Sequence, residues 1–456
     1  MRSIRFVVFA IGVLFLAASC GKKEPSLEIP VEYYKLANGL KVVLSADPAV
    51  PTVTVAVYYN IGLRNEPEGL TGFSHLFEHL MFEGTPNMPK GEFDKLIEGG
   101  GGVNNGSTRF DFTNYFEVVP SNQLEPVLWT EADRMRAINF LPEDLINQVG
   151  VVSNEVKVNV LNAPYGGFPW LDVPQYANSN WYNAHNFYGE LADLERASLE
   201  DVKKFYYTYY WPNNAVLVVA GDFEPGQARK WIEAYFGAIP AGELPPLPDM
   251  SEPRQDAEKK ASRPDAFAPE PALALAYHMP ERGSDAYYAM GLLDLILVQG
   301  EDSRLYQALV KDNGITDSLF GGINLLGNMY NYSGAMLFTV AFIHDRNWSE
   351  AAILEKVDAV VADIQQNGVS QAELDRAIRK FRSGLYDLAG SASRFGLVDL
   401  LASFALFDDD PARINRLEAE FRRVTPELIR ETANEVLRSS NRTVLAVEPG
   451  ASGGGQ

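Results

Sequence analysis

The chain has 456 residues, of which 46% are hydrophobic, so it can bury a substantial core and form two or more domains. Its 60 acidic and 39 basic residues give a net charge of −21, which argues against nucleic-acid binding and favours, through long-range steering, cationic peptides. The same acidic balance is also typical of an ordinary protein surface.

The N-terminus has the pattern of a processing segment. Two arginines precede an apolar run from Phe6 to Leu16 that is too short for a typical transmembrane span, and small residues then lead to Cys20. This pattern is typical of a bacterial lipoprotein signal, so we predict that residues 1–19 are removed and that Cys20, the only cysteine, is acylated. Residues 20–30 would then tether the protein to a membrane, with Gly21 compatible with the periplasmic face of the outer membrane. The alternative is an ordinary secretory signal with an incidental cysteine.

The sequence His-Leu-Phe-Glu-His, which begins at His75, carries the clearest chemical signal. In a helix, His75 and His79 lie one turn apart on one face, where both imidazoles can reach one zinc ion. Glu78 would lie beside a zinc-bound water, whose pKa zinc lowers to about 7, and could accept its proton. The alternative is a pair of polar histidines on a surface helix, and a third ligand decides between the two.

Residues 31–240 read as alternating strands and helices, which predicts a first domain. Within it, the helix predicted from Pro142 to Asn162 carries Val149, Val152 and Val156 at helical spacing, which would fix it to a core. Glu155 is then left on a flank that can face the His75 helix, although taken alone it is an ordinary helix carboxylate. The other predicted elements are a strand at 53–62, helices at Leu124–Ile138 and Ser198–Tyr206, and a closing strand at 213–223.

A proline-rich, charged linker is predicted at residues 241–271, and residues 272–450 repeat the plan of the first domain. The Ser284–Val298 helix stands where the His75 helix stood, but the second copy has no His-x-x-Glu-His. We expect this copy to supply walls and no chemistry, and residues 451–456 to form a flexible tail. The predicted fold class is α+β, with two homologous domains, each a mainly antiparallel sheet with helices packed on one face.

Together with the sequence VVSNEV around Glu155, the motif residues resemble the inverzincin peptidases, which include pitrilysin, insulin-degrading enzyme and mitochondrial processing peptidase with its bacterial relatives. The resemblance implies that His75, His79 and Glu155 bind one zinc ion per chain and that Glu78 is the general base. It covers nearly the whole chain after the predicted tether. Further matching segments are LANGLKVVL at 36–44, GFSHLFEHLMFEGT at 72–85, Asn105–Thr108, Thr113–Tyr115, Asn162–Gly166 and NNAVLVVAGDF at 213–223.

The resemblance also implies a substrate-binding edge strand. The family's usual Asn-Ala-x-Thr appears here as Asn105, Gly106, Ser107 and Thr108. A bound peptide would extend the sheet through main-chain hydrogen bonds, which suits a broad peptide specificity. The alternative is a plain strand after the glycine-rich loop at Gly99–Gly102.

Two departures from the family pattern concern the site. Many members carry a second glutamate two turns before the ligand glutamate, where this chain has Gln148, which can still orient a ligand by hydrogen bonding. Single-chain members carry an Arg and a Tyr in the C-terminal half, where this chain has Val310 and Asp317. Neither side chain can stabilise an oxyanion as Arg and Tyr would.

The resulting prediction is a membrane-tethered zinc metalloendopeptidase of the bacterial cell envelope that hydrolyses peptides or small unfolded proteins. Family members close a chamber from four such domains, and this chain has two. We therefore expect the zinc-bearing subunit of a heterodimer whose related partner supplies the Arg and Tyr, with a homodimer as the alternative. His185, His278 and His344 have no partner at metal-binding spacing and are predicted to be structural.

Three other functions compete with this prediction. One is a non-catalytic lipoprotein scaffold or binding module that keeps the peptidase fold. Another is the sulfur-ribosyl lyase of quorum signalling, which shares a similar motif but uses a cysteine. A purely structural metal is the third, although three protein ligands leave the open position typical of catalytic zinc.

Overall fold

The computed structural model describes residues 27–450. The predicted signal peptide, the acylation site Cys20, most of the predicted tether and the tail at 451–456 lie outside the described residues. Two β-sheets organise the rest, one in the first half of the chain (residues 32–236) and one in the second half (residues 259–449).

The first half contains a six-stranded sheet with the strand order β1-β2-β6-β3-β5-β4. Every pairing is antiparallel except that of β2 with β6. The strands are β1 (Glu32–Lys35), β2 (Lys41–Ala46), β3 (Thr52–Tyr59), β4 (Val103–Thr108), β5 (Thr113–Pro120) and β6 (Ala215–Gly221). The helices are α1 (Phe73–Leu80), α2 (Glu92–Gly99), α3 (Leu124–Arg136), α4 (Pro142–Val156), α5 (Asp172–Ala177), α6 (Trp181–Ala184), α7 (Leu191–Arg196), α8 (Leu199–Tyr209) and α9 (Pro225–Phe236).

The second half contains a five-stranded sheet with the order β7-β11-β8-β10-β9. Its strands are β7 (Lys259–Asp265), β8 (Ala272–His278), β9 (Phe320–Ile323), β10 (Leu337–Ile343) and β11 (Arg442–Pro449). Its helices are α10 (Asp285–Leu297), α11 (Arg304–Tyr306), α12 (Glu350–Asn367), α13 (Gln371–Gly390), α14 (Phe395–Phe407), α15 (Leu417–Arg422) and α16 (Pro426–Val436).

The predicted linker at 241–271 needs a correction, because β7 lies inside it. This strand pairs with β11 in parallel, with Thr443 opposite Lys259 and Pro449 opposite Asp265. Its sequence, KKASRPD, carries charges and a proline, which are tolerated because β7 is an edge strand. The second sheet therefore begins well before residue 272.

Both faces of each sheet are buried, which explains the continuous apolar runs of the central strands. On β3, Val53, Val55 and Val57 belong to one core with the first half's own helices, whereas Ala56 and Tyr58 belong to another core shared with the second half. Helix α14, from the second half, packs on that second face against β2, β3 and β6.

The second sheet shows the reciprocal arrangement. Its own helices α10, α12, α13 and α16 share a core with one face, including Leu273 and Leu275 of β8. The other face, with Ala274 of β8, packs against α5 of the first half through Val173 and Ala177. Each half thus lends one helix to the other half's sheet. The predicted fold class, two mainly antiparallel sheets of similar plan with their own helices on one face, is confirmed.

Within residues 27–450, no single helix is long and apolar enough to cross a membrane. Helices α13 and α14 reach that length and composition only as a pair bent by 103°.

Candidate metal centre

Helix α1 carries the three motif residues, and a buried carboxylate fixes where it begins. Gly72 precedes the helix in the left-handed region with a φ of 82°, and it offers no side-chain cap. Glu66 takes that role, because its two carboxylate oxygens accept the backbone N–H groups of Gly72 at 2.8 Å and Ser74 at 2.6 Å. Burial raises the pKa of Glu66 to about 8, although both N–H groups oppose that rise.

The apolar residues of α1 decide which way the motif faces. Phe73, Leu76, Phe77 and Leu80 are buried in the first core. His75, Glu78 and His79 are left half-buried on the opposite side, where α1 meets α4. The two imidazole rings lie 5.0 Å apart, centre to centre, at an interplanar angle of 79°.

Glu155, near the end of α4, joins the two histidines. Its Oε2 atom lies 3.7 Å from Nε2 of His75 and 3.6 Å from Nε2 of His79. Within residues 27–450 this is the one group of three histidine, cysteine or carboxylate donors close enough to hold a metal, with ligand atoms all within 4.8 Å of one another. Tetrahedral zinc with bonds of about 2.1 Å separates its ligand atoms by about 3.4 Å. The donor set and its spacing therefore fit one zinc ion.

The protonation state of His75 also favours metal binding. Burial lowers the pKa of His75, against the opposing charges of Glu78 and Glu155. A neutral imidazole is the form that binds a metal.

Glu78 lies beside this group without belonging to it. Its Oε2 atom accepts a hydrogen bond of 2.7 Å from the Thr108 hydroxyl on β4. Glu78, His75, Glu155 and Thr108 all line one cavity of about 230 Å³. The carboxylate is thus held next to the donors with its second oxygen available to a ligand in the cavity.

Strand β4 lies at the edge of the first sheet, with Asn105, Gly106, Ser107 and Thr108 on it. It pairs with β5 on one side, and the described residues place no strand on the other. Gly106 is packed closely on Glu78, because a Cβ atom there would lie 3.0 Å from Cγ of Glu78. The family's usual alanine would therefore force one of the two to shift.

Tyr188 is a site residue that sequence reasoning missed. Its hydroxyl donates a 2.8 Å hydrogen bond to Oε1 of Glu155, and its ring lies edge-on to His75 with centroids 5.3 Å apart. Burial raises the pKa of Tyr188 well above its usual value, so the hydroxyl keeps its proton. The only sequence signal was the density of aromatic residues from Trp170 to Tyr188, which is equally typical of plain packing.

The predicted ligand-orienting role of Gln148 is wrong. Its amide lies two turns before Glu155 on α4 and donates a 2.6 Å hydrogen bond to Oε1 of Glu83. The other carboxylate oxygen of Glu83 pairs with Lys90. Because the buried Glu83 competes for the amide, Gln148 supports the segment after α1 and makes no hydrogen bond to the three donors among the described residues.

The structure places the remaining candidates away from this cavity. Val310 lies in a π-helical turn at Gln307–Asp312 and Asp317 is exposed in the loop that follows. His185, His278 and His344 each have a ring nitrogen within hydrogen-bonding distance of backbone carbonyl groups.

Two family models match the chain on either side of residue 180. The model described as insulinase (peptidase family M16) matches residues 41–165, and the model described as the peptidase M16 inactive domain matches residues 196–381. The chain belongs to peptidase family M16. The inactive-domain model covers most of the half in which the sequence has no His-x-x-Glu-His.

M16 relatives of similar length carry zinc protease names. The chain is 26% identical to a Helicobacter pylori protein named zinc protease PqqE, covering 92% of this chain and 93% of that protein. It is 24% identical to a Bacillus subtilis protein named uncharacterized zinc protease YmxG, covering 78% and 83% respectively. This M16 chain is therefore similar to zinc proteases.

Solved M16 structures share the fold. A protease from Helicobacter pylori superimposes with a TM-score of 0.83 at 26% identity, covering 92% of this chain and 100% of that one. The periplasmic protease PqqL from Escherichia coli superimposes with a TM-score of 0.73 at 18% identity, covering 93% of this chain but 48% of that one. The fold of this chain thus occupies about half of the longer protein.

Proposed function

We propose that this chain is a zinc metalloendopeptidase that hydrolyses peptides or small unfolded proteins. The observation that carries the proposal is the convergence of His75, His79 and Glu155 at zinc-ligand spacing, with the Glu78 carboxylate on the same cavity. Three protein donors leave an open position, which is typical of catalytic and not structural zinc. The zinc protease names of its relatives support the same conclusion.

When bound by these three side chains, zinc would supply a Lewis acid that acidifies water and polarises a peptide carbonyl. Glu78 would accept the proton of the attacking water and pass it to the nitrogen of the leaving amine. Thr108 holds one oxygen of Glu78 by its 2.7 Å hydrogen bond, which leaves the other oxygen for the proton. Tyr188 holds Glu155 by a hydrogen bond. Glu155 would therefore serve as a metal ligand, and Glu78 would serve as the general base.

The main chain of β4 would hold the substrate. A peptide that adds to this edge strand runs beside Thr108, and Thr108 contacts Glu78, so the bound backbone is brought to the general base. Pairing through Asn105–Thr108 reads the peptide backbone and leaves the side chains to the cavity walls.

Substitution Glu78→Gln tests the assignment. The variant should lose peptide hydrolysis by at least about 100-fold while it retains one zinc per chain, because Glu78 transfers protons and does not bind the metal. Glu195→Gln, which changes an exposed carboxylate on α7, serves as the matched control. Near-normal cleavage by Glu78→Gln would contradict the proposal. Equal inactivity of both the wild type and the variant, with intact peptide binding, would favour the non-catalytic scaffold.

We further propose that the chain is the zinc-bearing subunit of a two-chain chamber. Its fold spans 48% of the PqqL chain, and the family resemblance puts Val310 and Asp317 where single-chain members carry Arg and Tyr. Co-purification with a related chain that carries the Arg and Tyr should raise kcat. Full activity of the lone chain as a monomer, unchanged by that partner, would count against a chamber, and a lone active dimer would favour the homodimer.

The third proposal concerns location. The sequence around Cys20 supports acylation and attachment to the periplasmic face of the outer membrane. Wild-type protein expressed in bacteria should incorporate labelled fatty acid and fractionate with outer membranes, whereas Cys20→Ala should do neither. Labelling that survives Cys20→Ala would refute the acylation site.

A further inference from the structure

Arg109 is an unexplained cation in the cavity of the metal centre. It follows the last residue of β4, and its backbone is fixed on both sides, since its N–H donates to Phe112 at 2.8 Å and its carbonyl accepts from Leu63 at 3.0 Å. Arg109 lines the same cavity as His75 and Glu78. Its position relative to the proposed general base is therefore set by the strand.

Among residues 27–450, no hydrogen bond and no ion pair within 4.0 Å involves the Arg109 guanidinium, which is half-buried. Arg64, which also borders the space between the two halves, shows the opposite situation. It is buried and joined to Asp111 by two hydrogen bonds, of 2.8 Å from Nε and 2.5 Å from Nη2. Arg64 therefore has a structural partner of the kind that Arg109 lacks.

Asp399 on α14 does not supply that partner. Burial raises the pKa of Asp399, and the positive charge of Arg109 opposes the rise only through space. The carboxylate of Asp399 already accepts hydrogen bonds from Tyr58 at 3.1 Å, Asn328 at 3.0 Å and Asn331 at 3.2 Å. The carboxylate oxygens of Asp399 thus have hydrogen-bond donors without the guanidinium.

Apolar side chains form part of the wall around Arg109. Leu63, Trp170, Phe187 and Leu326 contribute apolar side chains to the lining of the same cavity. A half-buried guanidinium in such a place gains from a carboxylate, which its planar fork can bind with two parallel hydrogen bonds.

We propose that Arg109 binds a carboxylate of the peptide substrate, supplied either by an acidic side chain or by a free C-terminus. The inference rests on the proposed peptidase function and gives it a substrate class. It runs against the net charge of −21, which would steer cationic peptides, so the local cation and the overall charge predict opposite preferences.

The test measures peptide binding in the Glu78→Gln background, so that it does not depend on turnover. Fluorescently labelled peptides carry either Asp or Asn at one scanned position, and either a C-terminal acid or an amide. The Glu78→Gln protein, with Arg109 intact, should bind one acid form about 10- to 100-fold more tightly than its neutral counterpart. Arg109→Met should bring this ratio close to one, and Arg109→Lys should retain part of it. The Asp/Asn arm and the acid/amide arm then identify the source of the carboxylate.

Arg379→Met, at an exposed arginine on α13 away from the cavity, is the matched control and should leave the ratio as it was. In the protein that keeps Glu78, Arg109→Met should lower the ratio of kcat/KM for the acid peptide to kcat/KM for the neutral peptide in parallel. The proposal would be overturned by an acid-to-neutral affinity ratio near one when Arg109 is intact. It would also be overturned if Arg109→Met and Arg109→Lys weakened the binding of both peptide forms equally. If no peptide is cleaved but the acid preference in binding depends on Arg109, the peptidase function fails and the carboxylate site stands.

Discussion

The hydrogen bond from Tyr188 to Glu155 gives the sharpest quantitative prediction. Substitution Tyr188→Phe removes the 2.8 Å hydrogen bond to Oε1 of Glu155 and keeps the ring that lies 5.3 Å from His75, centroid to centroid. A hydrogen bond to a charged group contributes about 1.5–3 kcal/mol. The cavity admits water that can replace part of it, so we take about 1.4 kcal/mol, which corresponds to a tenfold change in affinity.

Zinc affinity of Tyr188→Phe should therefore be about tenfold weaker than that of the wild type. The measurement is competition between the metal-free protein and a chelating fluorophore at a fixed pH. Tyr207→Phe serves as the control, because Tyr207 is 49% exposed on α8 and does not line the cavity. An affinity of Tyr188→Phe within twofold of the wild type, or an equal loss in Tyr207→Phe, would refute the idea that Tyr188 positions a ligand.

Three further predictions concern stability. Glu66→Ala should destabilise the protein by about 1–3 kcal/mol in denaturant unfolding and weaken zinc binding, because it leaves the first N–H groups of α1 unpaired; an unchanged midpoint would contradict this. Asp294 is half-buried, and among residues 27–450 its carboxylate accepts one hydrogen bond, from Gln299; burial raises its pKa from 3.8 to about 7. The folded state then holds the Asp294 proton more firmly than the unfolded state, so stability should fall as pH rises from about 4 to about 7. Asp294→Asn should remove about 2 kcal/mol of that fall. Identical pH profiles of the melting temperature for the wild type and the variant would refute this prediction. Arg64→Met should cost about 3–5 kcal/mol by leaving Asp111 buried without its counter-charge, and the double variant with Asp111→Leu should recover most of the loss.

The sequence predicts the local part of the site best. His75, Glu78 and His79 lie within one helical turn, so their common face follows from the helix period alone. Glu155 is on a different helix, where the valine spacing leaves it on a flank that can face the His75 helix, and the family resemblance implies its role as a ligand. Its approach to the histidines depends on the packing of α4 against α1, which no local pattern encodes.

The parts that sequence reasoning missed depend on long-range contacts. Tyr188 reaches Glu155 from a loop, and Gln148 turns to Glu83 because that carboxylate is buried beside it. The charges and proline of β7 are depleted in strands and predict a linker, but pairing with β11 on one edge overrides that preference. The exchange of α5 and α14 between the two sheets has no sequence signature beyond their apolar content.

The central claim is that His75, His79 and Glu155 bind one zinc ion. The most direct test is anomalous X-ray diffraction at the zinc absorption edge from crystals of the protein grown with one equivalent of zinc. We expect one peak about 2.0–2.2 Å from both Nε2 atoms and from an oxygen of Glu155, with Glu78 uncoordinated. A zinc peak elsewhere, or a Glu155 side chain directed away from both imidazoles in the zinc-bound crystal, would contradict the account.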